Sequence, residues 1–300
     1  MTAAEELDQI DRIHDDEPAQ AAVRLRALDV AALPPDHAPL AAFLFNHVLG
    51  EKLGDWNGAA QRIDQLRSRI AEPPPGVMVH AAVADELAGR GTSPARAAVV
   101  AASTEAVASC AIGLRRLGFT QESMDTAQFA ASLRDLAHST AALETGTPFD
   151  TQLAAGLNNA TSRLLDICSD GRDPVVRDAL RTGAEQALRL WQSAGNWVSH
   201  ERALYLVALV ANRIGAHDQA RDAARQALAV IAENGAEDVD RAFLLLQLAG
   251  AQRSLGDEGA SRAAHDEARA IAAGWNDRSL NDWFDAEEAK LFGTSGVGSE

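Results

Sequence analysis

Four helical runs in this chain stop in the same way, at Lys52-Leu53-Gly54, Arg116-Leu117-Gly118, Arg213-Ile214-Gly215 and Ser254-Leu255-Gly256. Each stop follows an apolar run with helical spacing and shortly precedes a second, Ala-rich helical run. Glycine just past a helix end accepts the left-handed turn that closes it without a Cβ clash. A unit of helix, glycine turn and helix that recurs along a chain implies stacked hairpins, because one amphipathic hairpin cannot bury its apolar face alone. The expected fold is all-α: a superhelix, or solenoid, of about seven helical hairpins closed by a C-terminal capping helix.

The composition fits stacked helices better than sheets. Hydrophobic residues make up 47% of the chain but aromatics only 5%, so the core must be built from Ala, Leu and Val, which lets helices approach closely. No window alternates like a strand; Val77 to Val79 comes nearest and is too short. The formal net charge of −16 disfavours nucleic acid and anionic membrane as partners, since both require a cationic face. Cys110 and Cys168 lie in apolar helical patterns and read as small buried hydrophobes, not as a disulfide framework. The acidic stretch Met1 to Asp11 lacks the apolar segment of a signal peptide, and no run approaches the roughly 20 apolar residues of a membrane span. The expected location is the cytoplasm.

The hairpins are clearest toward the C-terminus. Leu204, Val207, Ala208 and Ala211 lead to Gly215, and Ala220, Ala224, Ala227 and Ile231 line the next helix. Leu245, Leu248 and Ala249 lead to Gly256, then Ser261, His265, Ala268 and Ala272 follow, with the two turn glycines 41 residues apart. Asp277 to Leu291 is the expected cap. At the front, Leu40 to Leu53 and Asn57 to Ile70 form one hairpin, and Ala3 to His14 with Pro18 to Ala32 another, punctuated by Pro34-Pro35 and Pro73-Pro74-Pro75. Between them, Met78 to Leu87 reads as a helix, Pro94 as the start of a long helix running toward Leu117, and Gln121 to Leu136 as the next. Asp150 to Cys168 and Pro174 to Ser193 read as two longer helices. Thr145-Gly146-Thr147-Pro148 is the internal boundary, giving repeats over residues 1–144, repeats and cap over 148–292, and a flexible tail over 293–300.

These hairpins resemble tetratricopeptide repeats, whose unit of about 34 residues carries the pattern W-x2-L-G-x2-Y…A-x3-F…P. In that register Ala208 takes the small position of a first helix, and Ala220 and Ala227 those of a second. Ala59 and Leu66 play the second-helix parts in the earlier unit, with Trp56 at the aromatic turn position. Two departures are the first-helix aromatic position, occupied by Ala211 and Gln252, and the longer spacing, which is similar to long-helix variants of bacterial regulators.

The resemblance implies a concave groove lined by first helices. Cations recur near the ends of those helices, at Lys52, Arg115, Arg116, Arg213 and Arg253. Together with Asn212 and Tyr205 they form the expected partner-binding set, able to grip an acidic or carboxylate-bearing protein or peptide segment by charge-assisted bonds. The same cations would also oppose the helix dipoles without any partner. Trp191, Trp197, His200 and Tyr205 form the densest aromatic stretch, which serves either as anchors for a partner or as filler between long helices.

Signals for chemistry are poor, so no catalytic residue, cofactor or metal ligand is expected. Neither His200-Glu201 nor His265-Asp266-Glu267 has the second histidine of a helical zinc site. Asp11 and His14 share a helix face, but no second copy completes a di-metal bundle. There is no phosphate loop and no nucleophile elbow. The expected function is a scaffold or adaptor that binds a protein or peptide segment. The alternatives are a peptide-sensing regulator of the same fold, and an α-helical enzyme or accessory subunit of a biosynthetic pathway.

Overall fold

The computed structural model describes residues 1–168 and 171–293, and all regular structure among them is helical. The helices are α1 (Ala3–Ile13), α2 (Pro18–Ala27), α3 (Ala38–Leu44), α4 (Trp56–Arg67), α5 (Pro75–Leu87), α6 (Pro94–Ala101), α7 (Glu105–Thr120) and α8 (Thr126–Ala141). They continue as α9 (Asp150–Ile167), α10 (Pro174–Ala194), α11 (Trp197–Arg213), α12 (His217–Asn234), α13 (Asp238–Ser254), α14 (Glu258–Ala272) and α15 (Arg278–Phe292). A π-helical stretch, Phe45–Lys52, prolongs α3. Of the expected tail, residues beyond 293 lie outside the described residues. The chain divides into two compact units, Met1–Ala160 and Thr161–Glu300, described in turn. Within each unit most consecutive helices among the described residues pack against one another, and α15 packs on α13.

In the first unit α1 packs on α2, the π-helical stretch on α4, α5 on α6 and α7 on α8, while α3, α5 and α7 lie side by side. Polar side chains set the helix starts. Thr2 and Glu5 form a capping box on α1, as do Asp125 and Gln128 on α8, and Ser93 and Thr104 cap α6 and α7. Each cap satisfies amides that the first turn leaves without intrahelical partners.

Two expectations fail here. The long helix from Pro94 is broken after Ala101, because Thr104 turns its hydroxyl onto the Val107 amide and starts α7 afresh. Gly118 does not stop a helix: α7 continues through it to Thr120, and the left-handed glycines of this unit are instead Gly54, Gly89 and Gly146. The reason is tertiary. Leu117 and Phe119 on either side of Gly118 are both buried, and the Phe119 ring meets Phe43, Trp56 and His80, so packing overrides a local stop signal.

In the second unit α10 to α14 pack consecutively, and α11, α13 and α15 lie side by side. Gly183 of α10 sits against Thr161 of α9, where a Cβ would meet the Thr161 hydroxyl. The α11–α12 and α13–α14 turns use the expected glycines. Gly215 (φ 78°) and Gly256 (φ 84°) are left-handed, and the amides that follow reach back to Ala211 O at 2.8 Å and Gln252 O at 2.9 Å. A Cβ on Gly215 would meet nothing within 4 Å, so the cost of a side chain there is purely that of backbone conformation. Gly215→Val is expected to destabilise this unit by about 2 kcal/mol, the cost of a left-handed residue raised by β-branching. Equilibrium urea denaturation checks it, and an unchanged midpoint would show that the turn does not need glycine.

Candidate functional site

Most of the expected partner-binding residues are engaged within their own unit. Lys52 Nζ lies 3.5 Å from Asp15, and Arg116 lies 3.7 Å from Glu86. Arg213 donates to the Leu165 and Cys168 carbonyls at 3.3 and 3.0 Å, satisfying acceptors at the end of α9. Asn212 donates to the backbone and side-chain oxygens of Gln247 at 2.9 and 3.0 Å, tying α11 to α13. Arg253 lies over the Phe292 ring at 5.5 Å and reaches its carbonyl, holding the end of α15. Arg115 is different. Among the described residues it donates to Gln152 Oε1 at 3.5 Å alone, it is half-buried, and burial pulls its guanidinium below the usual range. Its charge, after burial, helps to keep the enclosed His80 neutral.

Tyr205 leads to a second arrangement, on α11, α13 and α15. Its ring packs edge-on to Phe243 at 6.5 Å, and Phe243 in turn meets Trp283 at 4.2 Å, Phe284 at 5.7 Å and Trp275 at 6.1 Å. One turn before Tyr205, Glu201 is fully enclosed, and neither of its carboxyl oxygens has a hydrogen-bond donor. Arg202 Nε is 3.6 Å away but is bound more closely by Asp240, at 2.9 Å. Burial first, then the charges of Asp240 and Glu237, push the Glu201 carboxyl up to about 8. At neutral pH it therefore keeps its proton. Burial, with Glu287 and Asp240 nearby, also raises the Tyr205 phenol.

The result is an enclosed, protonated carboxyl next to the Arg202–Asp240 ion pair, beside an aromatic cluster whose Trp283 is 49% exposed. A cation could replace the proton, and aromatic faces add attraction for ammonium or guanidinium groups. Sequence reasoning reached Tyr205 but missed Glu201 and Asp240, which lie on different helices and carry no motif. The one legible signal was an acid at an apolar-face position of α11, between Trp197 and Leu204.

Among the described residues no helix is long and apolar enough to cross a membrane. No family model matches the chain, and no curated protein matches it. The tetratricopeptide resemblance therefore rests on the hairpin grammar itself.

Proposed function

We propose that this chain is a tetratricopeptide-like scaffold that binds a protein or peptide segment on the α11–α13–α15 face, without catalysis on that face. Stacked hairpins present parallel first helices as a continuous surface, and such surfaces take extended or helical segments by a few anchors. The observation that carries the reading is Glu201: an enclosed carboxyl without a donor, next to the Arg202–Asp240 ion pair and beside a half-exposed tryptophan. This chemistry favours a segment bearing Arg or Lys over the acidic segment expected from the helix-end cations, most of which have intramolecular partners. Arg115 keeps an acidic partner open as a second reading, on the first unit, because its hydrogen-bond acceptor among the described residues is a neutral amide.

Calorimetric titration with short Arg-containing and Glu-containing peptides separates the two. The expected result is tighter binding of the Arg peptides, weakened about tenfold or more by Glu201→Gln with Asp240→Asn, with affinity falling as salt rises. Binding of Glu peptides alone, lost in Arg115→Met, would transfer the site to the first unit.

A further inference from the structure

At the end of α1, His14 and Asp15 meet His47 of the π-helical stretch. His14 Nε2 lies 3.3 Å from one Asp15 oxygen, and His47 Nε2 lies 3.1 Å from the other. One donor atom from each of the three residues lies within 4.8 Å of the others. With metal–nitrogen and metal–oxygen bonds of about 2.0–2.2 Å, the donors of a tetrahedral shell sit roughly 3.3 Å apart. Each histidine Nε2 thus already lies at about that separation from one of the two Asp15 oxygens, and the exposed Asp15 side chain can turn to bring a single oxygen to both.

The far sides of both rings point to the same use. His14 Nδ1 contacts the Asp11 carbonyl, and His47 Nδ1 lies 2.6 Å from Glu51 Oε2. Acceptors at Nδ1 would hold each neutral ring with its proton there and its Nε2 available to an ion, as in protein metal ligands, at the place where His47 Nε2 contacts an Asp15 oxygen at 3.1 Å. Both imidazoles are largely enclosed, at 16% and 14% exposure, whereas Asp15 is 66% exposed. The Phe43 ring stacks on His47 with centroids 5.3 Å apart, fixing its plane. His47 and Glu51 are four residues apart, the spacing at which side chains face one another on a helix, and they lie in a π-helical stretch, a geometry that recurs at functional sites. Against this stands Lys52, whose ammonium lies 3.5 Å from Asp15. It is a long, partly exposed side chain and the natural competitor of a bound ion for the same carboxylate.

We propose that His14, Asp15 and His47 bind a divalent first-row transition ion, with Glu51 and the Asp11 carbonyl orienting the imidazoles. Three protein donors leave a coordination position for water, the arrangement of open rather than closed zinc sites. The proposal stands apart from the peptide-binding reading, since it involves other residues in the other unit.

The test uses the full chain, stripped with a chelator and titrated with Zn²⁺ alone by calorimetry and with Co²⁺ by visible absorption. One ion per chain is expected, with dissociation constants in the micromolar range or tighter and Co²⁺ bands of low coordination number. His47→Gln and Asp15→Asn should each weaken binding by about a hundredfold, and Glu51→Gln by about tenfold. Lys52→Met should tighten it, because the competitor is gone. A salt-bridge network with no metal role would give the opposite pattern: Lys52→Met would lower thermal stability and leave Zn²⁺ affinity unchanged. Asp15→Asn alters an exposed side chain and keeps the fold, so it decides the matter if His47→Gln does not fold. Absence of binding at millimolar Zn²⁺, or binding that survives both Asp15→Asn and His47→Gln, overturns the proposal.

Discussion

Glu201→Gln is expected to stabilise the second unit at pH 8 and above and to leave it nearly unchanged at pH 5. The carboxyl's value in the folded chain, about 8, exceeds the ordinary 4.5. Between those pH values the folded state holds a proton that the unfolded state releases, so stability falls as pH rises through that window and levels off above about 8. The full penalty is on the order of 4 kcal/mol, shared with Asp240 because the two groups titrate together. Glutamine fills the same space and has no charge to develop. Thermal midpoints from pH 4 to 9 should therefore slope downward for the wild type and run flatter for the variant. Asp240→Asn removes only the second cause of the shift, so burial of Glu201 keeps part of the slope. A wild-type profile without a slope between pH 5 and 8 would show that Glu201 ionises freely and is not enclosed as described.

How much of this was legible in the sequence depended on the distance over which each feature is decided. Gly54, Gly215 and Gly256 were readable because a left-handed helix stop is a property of a few adjacent residues. Gly118 misled because the same local signal was overruled by burial of Phe119 against rings from Phe43, Trp56 and His80. The break before α7 was missed for the converse reason: Thr104 was a legible cap, but Pro94 and the Ala/Val run after it suggested an uninterrupted helix. Lys52, Arg213 and Arg253 do lie in last helical turns, but Arg115 and Arg116 do not, since α7 runs on to Thr120, and the side chains of Arg213 and Arg253 turn onto carbonyls of α9 and α15. For that reason charge reversal at Arg213 and Arg253 would disturb packing as well as any groove. The two proposed sites were the least legible. His14 and His47 come from different hairpin helices, and Glu201 meets Asp240 across two first helices, so neither leaves a spacing that a linear reading can detect.

A chain ending at Gly274 is expected to lose about 5 kcal/mol of stability in the second unit and to self-associate. Its last helix, α15, is the only element that covers the far side of α13 among the described residues. Phe243 is 2% exposed because Trp275, Trp283 and Phe284 surround it, and Leu291 lies directly on the backbone at Gly250. Glu288 ties the helix back to α14 through His265, at 2.5 Å, and Arg269. Removing these groups uncovers Phe243 and deletes a buried Phe284. Each aromatic buries about 150–250 Å² at roughly 25 cal/mol per Å², which sets the expected size. The thermal midpoint should fall by roughly 10 °C or more. The exposed strip along α13 should drive association, because repeat arrays need a terminal element with a polar outer face. Trp283→Ala in the full-length chain provides the contrast, costing about 2 kcal/mol since that ring is already half in solvent. Analytical ultracentrifugation and thermal scans decide the point. A shortened chain that stays monomeric with an unchanged midpoint would mean that α15 rests on the stack without sealing it, and that the aromatic cluster around Phe243 has another purpose.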